Sequence, residues 1–162
     1  WGKLMAKGKT NAMRILDAAK VPYEMMSYEV KDGKIDGISV AEKIGKEPAI
    51  VYKTLVAQGT SRGIYVFVIP VAEELSLKKA AVATGEKKVE MIAVKDIQKL
   101  TGYIRGGCSP VGMSKKYPTF IHEEAQNKET IIVSGGKIGV QIVLKAQVLA
   151  EVTSAQFVDL IQ

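Results

Sequence analysis

The sequence predicts an α+β fold: a single compact domain in which a mixed, mostly antiparallel central sheet is flanked by short helices. Three observations carry this. At 162 residues the chain has the usual length of one hydrophobic core. Its apolar fraction of 47% is enough to fill that core. Its helical and strand-like runs follow one another in irregular order, without the strict βαβ alternation that builds a parallel sheet.

Element by element, Asn11 to Lys20 places Ala12, Leu16 and Ala19 on one helical face with Ile15 beside them, and Pro22 stops the pattern. The run PYEMMSYEV then alternates as a strand, and Asp32 to Gly37 is a glycine-rich turn. Ser39-Val-Ala-Glu42 has the spacing of a capping box, opening a short helix that Gly45 ends. VYKTLVAQG and GIYVFVIP, separated by Thr60-Ser61-Arg62, read as a hairpin of two central strands.

Ser76 is placed to cap a helix that buries Leu77, Ala80 and Ala81 and stops at Gly85. KKVEMIAV is a short strand, and Val94 to Leu100 a helix stopped at Gly102. After a loop from Gly106 to Gly112 come three strand-like runs, PTFIHE, TIIVSGG and KIGVQIVLK. Two short helical patterns follow, from Ala146 and from Ser154. Trp1 to Leu4, ahead of Met5, are set aside as a cloning scar or a disordered arm, leaving residues 5–162 as the domain.

The composition narrows the function classes. One cysteine, Cys108, allows no internal disulfide, and one histidine, His122, leaves no cluster with metal-ligand spacing, so neither a metal nor a cofactor is expected. No apolar run reaches the roughly eighteen residues of a membrane helix, and a cytoplasmic protein without a membrane partner is the expectation. The net charge of +6, from 23 Lys+Arg against 17 Asp+Glu, suits a polyanionic partner. The basic pairs Lys78-Lys79, Lys87-Lys88 and Lys115-Lys116 also read simply as solvated faces.

Familiar catalytic machinery is missing. A serine or cysteine hydrolase needs a base within hydrogen-bond reach of its nucleophile, and His122, sharing a strand face with Phe120, reads as structural or solvent-exposed instead. Neither a Walker-type phosphate loop nor a G-x-G-x-x-G fingerprint occurs. What remains is glycine. Gly106-Gly107 and Gly135-Gly136 can bring backbone amides close to a ligand, with Ser109 and Ser134 beside them and Lys53 leading a central strand. Either pair alone marks a turn or bulge as readily as a site.

Five stretches in fixed order, VYKTLVA (51–57), LKKAA (77–81), KKVEM (87–91), TGYIRGGCSPVG (101–112) and SGGKIG (134–139), make the chain similar to the YbaK-type aminoacyl-tRNA deacylases. These are related to the editing domain inserted in bacterial prolyl-tRNA synthetases, and the likeness is greatest to the free-standing cysteinyl-tRNA(Pro) deacylases. The resemblance runs from about Asn11 to the C-terminus. It implies a functional lysine at Lys53 with Thr54 beside it, and a pocket tyrosine at Tyr28. It also implies one glycine loop with Gly106, Gly107 and Ser109, and a second with Ser134, Gly135 and Gly136. Cys108 falls on a variable position of the first loop and is expected to be a small apolar filler. Ile138 departs from the pattern, standing where many relatives carry arginine, which removes any contact that arginine would make.

The implied reaction is deacylation of mischarged tRNA, Cys-tRNA(Pro) foremost, without a protein nucleophile. The substrate's own thiol attacks its ester carbonyl, while Gly106 and Gly107 amides meet the developing oxyanion and Lys53 binds the terminal adenosine phosphate or the carbonyl oxygen. The partners implied are the tRNA acceptor end and prolyl-tRNA synthetase. Three alternatives stand beside this reading: a deacylase preferring another small amino acid such as alanine, a nucleotide or small-anion binding module without turnover, and a scaffolding subunit of a synthetase.

Overall fold

A computed structural model describes residues 8–162; the segment Trp1 to Met5 discussed above lies outside the described residues. Helix α1 (Asn11–Ala18) opens at Thr10, whose hydroxyl accepts the Met13 N–H at 3.2 Å, a cap legible in neither charge nor periodicity. Its inward face is Ala12, Met13 and Leu16. Ala19 is only the cap at the end, and the helix stops short of Pro22 because Lys20 turns left-handed at φ 57°.

Strand β1 (Glu24–Ser27) is shorter than the alternating run around it. Helix α2 (Gly37–Lys43) corrects the capping expectation. Asp36, not Ser39, is the N-cap: its carboxylate accepts the Ser39 N–H at 3.1 Å and the Ser39 hydroxyl at 2.7 Å. Ser39 is thus the third helical residue, and Asp36 offers the stronger, charged acceptor to the first turn.

The hairpin of β2 (Tyr52–Gly59) and β3 (Ile64–Pro70) is formed as expected, in an antiparallel register that pairs Lys53 with Ile69 and Thr54 with Val68. Helix α3 (Leu77–Thr84) is capped by Ser76 and closed by Gly85 at φ 74°. It buries Ala80 and Ala81, but Leu77, expected to be buried, is 42% exposed. Next come β4 (Val89–Met91), a 3-10 turn from Val94 to Asp96, and the short helix α4 (Ile97–Thr101), closed by Gly102.

The second half supplies β5 (Thr119–His122), β6 (Ile131–Lys137), β7 (Val140–Leu144), helix α5 (Ala146–Thr153) and β8 (Gln156–Val158). The helix expected from Ser154 is therefore a strand. Ser154 instead ends α5 in the left-handed region at φ 57°, and the residues after it find the open edge of β5.

The expected α+β fold with mixed, mostly antiparallel pairing is what forms, its strands divided between two sheets. One has five strands in the order β4-β2-β3-β5-β8, with β5 parallel to both its neighbours and the rest antiparallel; the other is an antiparallel three-stranded sheet, β1-β7-β6. A parallel bridge between Val51 and Ile132 ties them together. Between the sheets lies the main core, with Val66, Val68 and Ile121 from one and Val133, Ile142 and Leu144 from the other, closed by α1 and α5. Strand alternation sends Phe67, Ile69 and Phe120 to the opposite face, where α3 and Leu160 cover them. The Phe67 and Phe120 rings stack there at 5.6 Å. The start of β2, where the two sheets meet, is flanked by α2, which sets the stage for the site.

Candidate functional site

At that seam lies a cavity of about 390 Å³, walled by the first residues of β2, the N-terminal turn of α2, Tyr28, the loop around Gly106 and the paired residues Ser134 and Gln141. It brings together five of the predicted residues, Tyr28, Lys53, Thr54, Gly106 and Ser134, from segments more than a hundred positions apart. Gly107, Ser109, Gly135 and Gly136 do not line it.

The two glycine loops explain that split. Gly107 donates its N–H to Ile104 O at 3.0 Å, closing a turn in which Gly106 sits at φ 86°. A residue at that turn position must tolerate the left-handed region, which is why glycine is there. The Gly107 amide, expected to meet a ligand, here donates within the turn. Its lack of a side chain matters for a different reason: a Cβ would come within 2.9 Å of the Ile138 backbone nitrogen. Gly107 lets the two loops touch. The turn bond does not use the Gly106 N–H.

Ser109 is fully buried and its hydroxyl accepts the Val111 N–H at 3.2 Å, while Tyr103 donates to Val111 O at 2.6 Å. Both hold the loop's own shape. Gly135 and Gly136 form the register shift in β6 between Ser134 and Lys137; Gly135 O accepts the Thr10 hydroxyl, and the Gly136 N–H donates to Ser134 Oγ at 3.2 Å. Their work is to bend the strand that presents Ser134.

The chemistry of the cavity wall is distinctive. Three of its lining residues, Tyr28, Tyr52 and Thr54, carry a buried hydroxyl with no hydrogen-bond partner among the described residues. A buried hydroxyl left so costs about 1–3 kcal/mol, so three in one lining suit a ligand able to supply the missing partners. Two cations, Lys53 and Arg105, join them, and among the described residues neither has a carboxylate within salt-bridge distance. Asp36, the one carboxylate of the wall, is held below its ordinary pKa by the Ser39 hydroxyl and then the Ser39 amide. The site is therefore built for an anionic ligand rich in hydrogen-bonding groups.

Removing those hydroxyls should stabilise the empty protein. Tyr28→Phe and Thr54→Val are each expected to add about 1 kcal/mol, seen as a thermal midpoint higher by about 2–4 °C. A lower midpoint for both would show that the hydroxyls already have partners.

Cys108 also lines the cavity, with Sγ 3.9 Å from Thr101 Oγ1. Burial pushes its thiol up to about 11, so at neutral pH it is protonated and a poor nucleophile. His122, 2% exposed, lies instead in β5, where Nδ1 accepts the Leu160 N–H at 3.2 Å. It is a structural histidine. Among the described residues no three His, Cys, Asp or Glu side chains gather to hold a metal ion, and no helix is long and apolar enough to cross a membrane.

A larger cavity, about 560 Å³, opens at the far end of β2, beside Gln58, Lys88, Glu90 and Lys99. It holds none of the predicted residues. Its Lys88 is paired with Glu90 at 3.0 Å, and no unpartnered buried side-chain atom lines it among the described residues. Size alone therefore does not make it the site.

Sequence reasoning missed Asp36, Arg105 and Gln141. Asp36 was hidden in a stretch read as turn, Arg105 lay unremarked beside Gly106, and Gln141 carries no signal beyond the alternation of β7.

Residues 37–152 match the model of the aminoacyl-tRNA editing domain. A curated Enterococcus faecalis protein, EbsC, named as a candidate Cys-tRNA(Pro)/Cys-tRNA(Cys) deacylase, is 47% identical over 158 residues, spanning 98% of this chain and 96% of that protein. Among solved structures, a candidate trans-editing enzyme for prolyl-tRNA synthetase superposes with a TM-score of 0.81 at 23% identity, over 95% of this chain and 98% of the other. A hypothetical protein superposes at 0.86 with 19% identity, over 94% and 100%. At such identities these two structures establish the fold. The family match and the relative in Enterococcus go further: this chain belongs to the aminoacyl-tRNA editing domain family.

Proposed function

We propose that the protein is a free-standing editing enzyme that deacylates mischarged tRNA, with Cys-tRNA(Pro) as its main substrate. The observation that carries the reading is the pairing, in one cavity, of two cations and three buried hydroxyls that have no partners among the described residues. The name carried by the relative at 47% identity supports the choice of substrate.

An aminoacyl-tRNA is an activated ester, so positioning and charge stabilisation suffice for its cleavage. The substrate thiol attacks the ester carbonyl. A carbon–sulfur bond forms, the bond to the ribose oxygen breaks, and the thiol's proton ends on that oxygen, releasing tRNA and a cyclic thiolactone. Lys53 holds the terminal phosphate or the carbonyl oxygen, and the Gly106 N–H meets the developing negative charge. Tyr28, Thr54 and Ser134 orient the amino acid and adenosine. Prolyl-tRNA synthetase, as a partner in the cytoplasm, supplies the tRNA selectivity that a small domain lacks.

The test is a deacylation panel on Cys-, Ala-, Ser- and Pro-tRNA(Pro). Release fastest from the cysteinyl ester is the expected result. Fastest release from the alanyl ester would reassign the substrate, and tight binding without release would make the protein a binding module. In the same assay Cys108→Ser should keep most activity, within about threefold, since the stabilising groups are untouched. A dead but folded Cys108→Ser, with an acyl adduct on the wild-type thiol, would overturn the substrate-thiol route.

A further inference from the structure

We propose that Lys43 is a positioning residue for the deacylation site: its ammonium clamps the loop between β1 and α2, so that Tyr28 and Ile35 stand as one wall of the cavity. The inference rests on the reading of that cavity as the deacylation site.

Tyr28 at the start of the loop is held by its N–H to Gly139 O at 2.9 Å, but from Glu29 to Lys34 the loop has little besides Lys43 to hold it. Residues 31–34 are all exposed, so burial does not order them. Its own bonds are local: Gly33 N–H to Val30 O at 3.0 Å and Lys34 N–H to Asp32 Oδ1 at 3.0 Å. Into this loop Lys43 reaches from the last turn of α2. It donates to Glu29 O at 2.6 Å, Asp32 Oδ1 at 2.7 Å and Lys34 O at 2.8 Å. An ammonium has three donors, and here each has an acceptor on the same loop.

The same nitrogen stands 5.8 Å from the centre of the Tyr28 ring, within cation–π range. Exposed ion pairs usually contribute little, but the Lys43 side chain is only 19% exposed and two of its three acceptors are main-chain carbonyls. Helix α2 is itself fixed to the core by Val40 and Ala41. Lys43 therefore ties the span between Tyr28 and Ile35, both of which line the cavity, to the core.

Lys43→Met keeps most of the stem and removes the donors. Hydrogen exchange of the amides at 29–36 should accelerate while those of α2 stay protected. With the wall formed in about a tenth of the molecules, KM for Cys-tRNA(Pro) should rise about tenfold with kcat little changed. Asp32→Ala removes one acceptor from an exposed position and cannot disturb the core, so it remains decisive if Lys43→Met does not fold. It should raise KM about threefold alone and add nothing to Lys43→Met, since the two groups act as one unit. An unchanged KM in folded Lys43→Met, or in Asp32→Ala, or losses that simply multiply, would overturn the clamp. Lys53→Ala run alongside separates the two readings: it stays inactive if only the clamp is wrong, and is active if the cavity is not the site.

Discussion

Lys53→Ala is expected to lower deacylation of Cys-tRNA(Pro) by about 100- to 1,000-fold, the usual cost of removing one preorganised group that meets developing charge. The reason lies in its position. Lys53 is the second residue of β2, at the seam between the sheets, and no carboxylate among the described residues competes for it. Its charge is left for the ligand. The fold should survive, because the side chain is only partly buried and its pairing with Ile69 is made by backbone. A thermal midpoint within a few degrees of wild type, beside the lost activity, is the outcome that assigns the loss to chemistry. Lys53→Arg should recover only part of the rate, since a planar fork does not reproduce a compact ammonium. Near-wild-type turnover in folded Lys53→Ala would remove this lysine from the reaction.

The second large effect is in the substrate. Ser-tRNA(Pro) should be cleaved more slowly than Cys-tRNA(Pro) by on the order of 100-fold or more, because a hydroxyl is a far poorer nucleophile than a thiol at neutral pH. The pH profile identifies which sulfur acts. For an unperturbed substrate thiol the rate rises about tenfold per pH unit while the thiol is protonated, and levels off near pH 8.5. Cys108, with its thiol pushed up to about 11, would keep rising past that point. The sign is the same in both cases, since deprotonation creates the nucleophile, so the plateau carries the distinction. Equal rates on the two esters would remove the substrate thiol from the mechanism.

Local chemistry was the part of the fold that could be read directly. Glycines placed the ends of α3 and α4 correctly, because a left-handed cap is a property of the residue itself. β-rich composition around a short polar turn likewise located β2 and β3. What could not be read shares a physical cause: it depends on distant partners. The Gln156–Val158 run becomes a strand only because β5 offers an open edge, and the division into two sheets depends on pairings across more than a hundred residues. The Asp36 cap failed for a narrower reason, as Asp36 and Ser39 are both competent caps and the choice turns on where the chain leaves the preceding loop.

For the site, Tyr28, Lys53, Thr54, Gly106 and Ser134 were named from family motifs, and the fold draws them to one cavity. The motifs alone could not separate residues that line the cavity from residues that shape the loops. Gly107, Ser109, Gly135 and Gly136 belong to the second group, and only their hydrogen bonds and close contacts reveal it.

The strand order of the larger sheet has a consequence for biosynthesis. A ribosome delivers β2 and β3 early, and they can zip into a hairpin at once, but the partner of β3 on its other side is Thr119–His122, about fifty residues later in the chain. Until that segment emerges, the apolar run from Ile64 to Ile69 has an unpaired edge. Such an edge is a template for pairing with other nascent chains. Parallel pairing of this kind closes long loops before it is rewarded, so it forms slowly. An enzyme that guards translation thus carries an open strand edge through its own synthesis, and its yield in a cell should depend on chaperones that shield β3 while the rest is made.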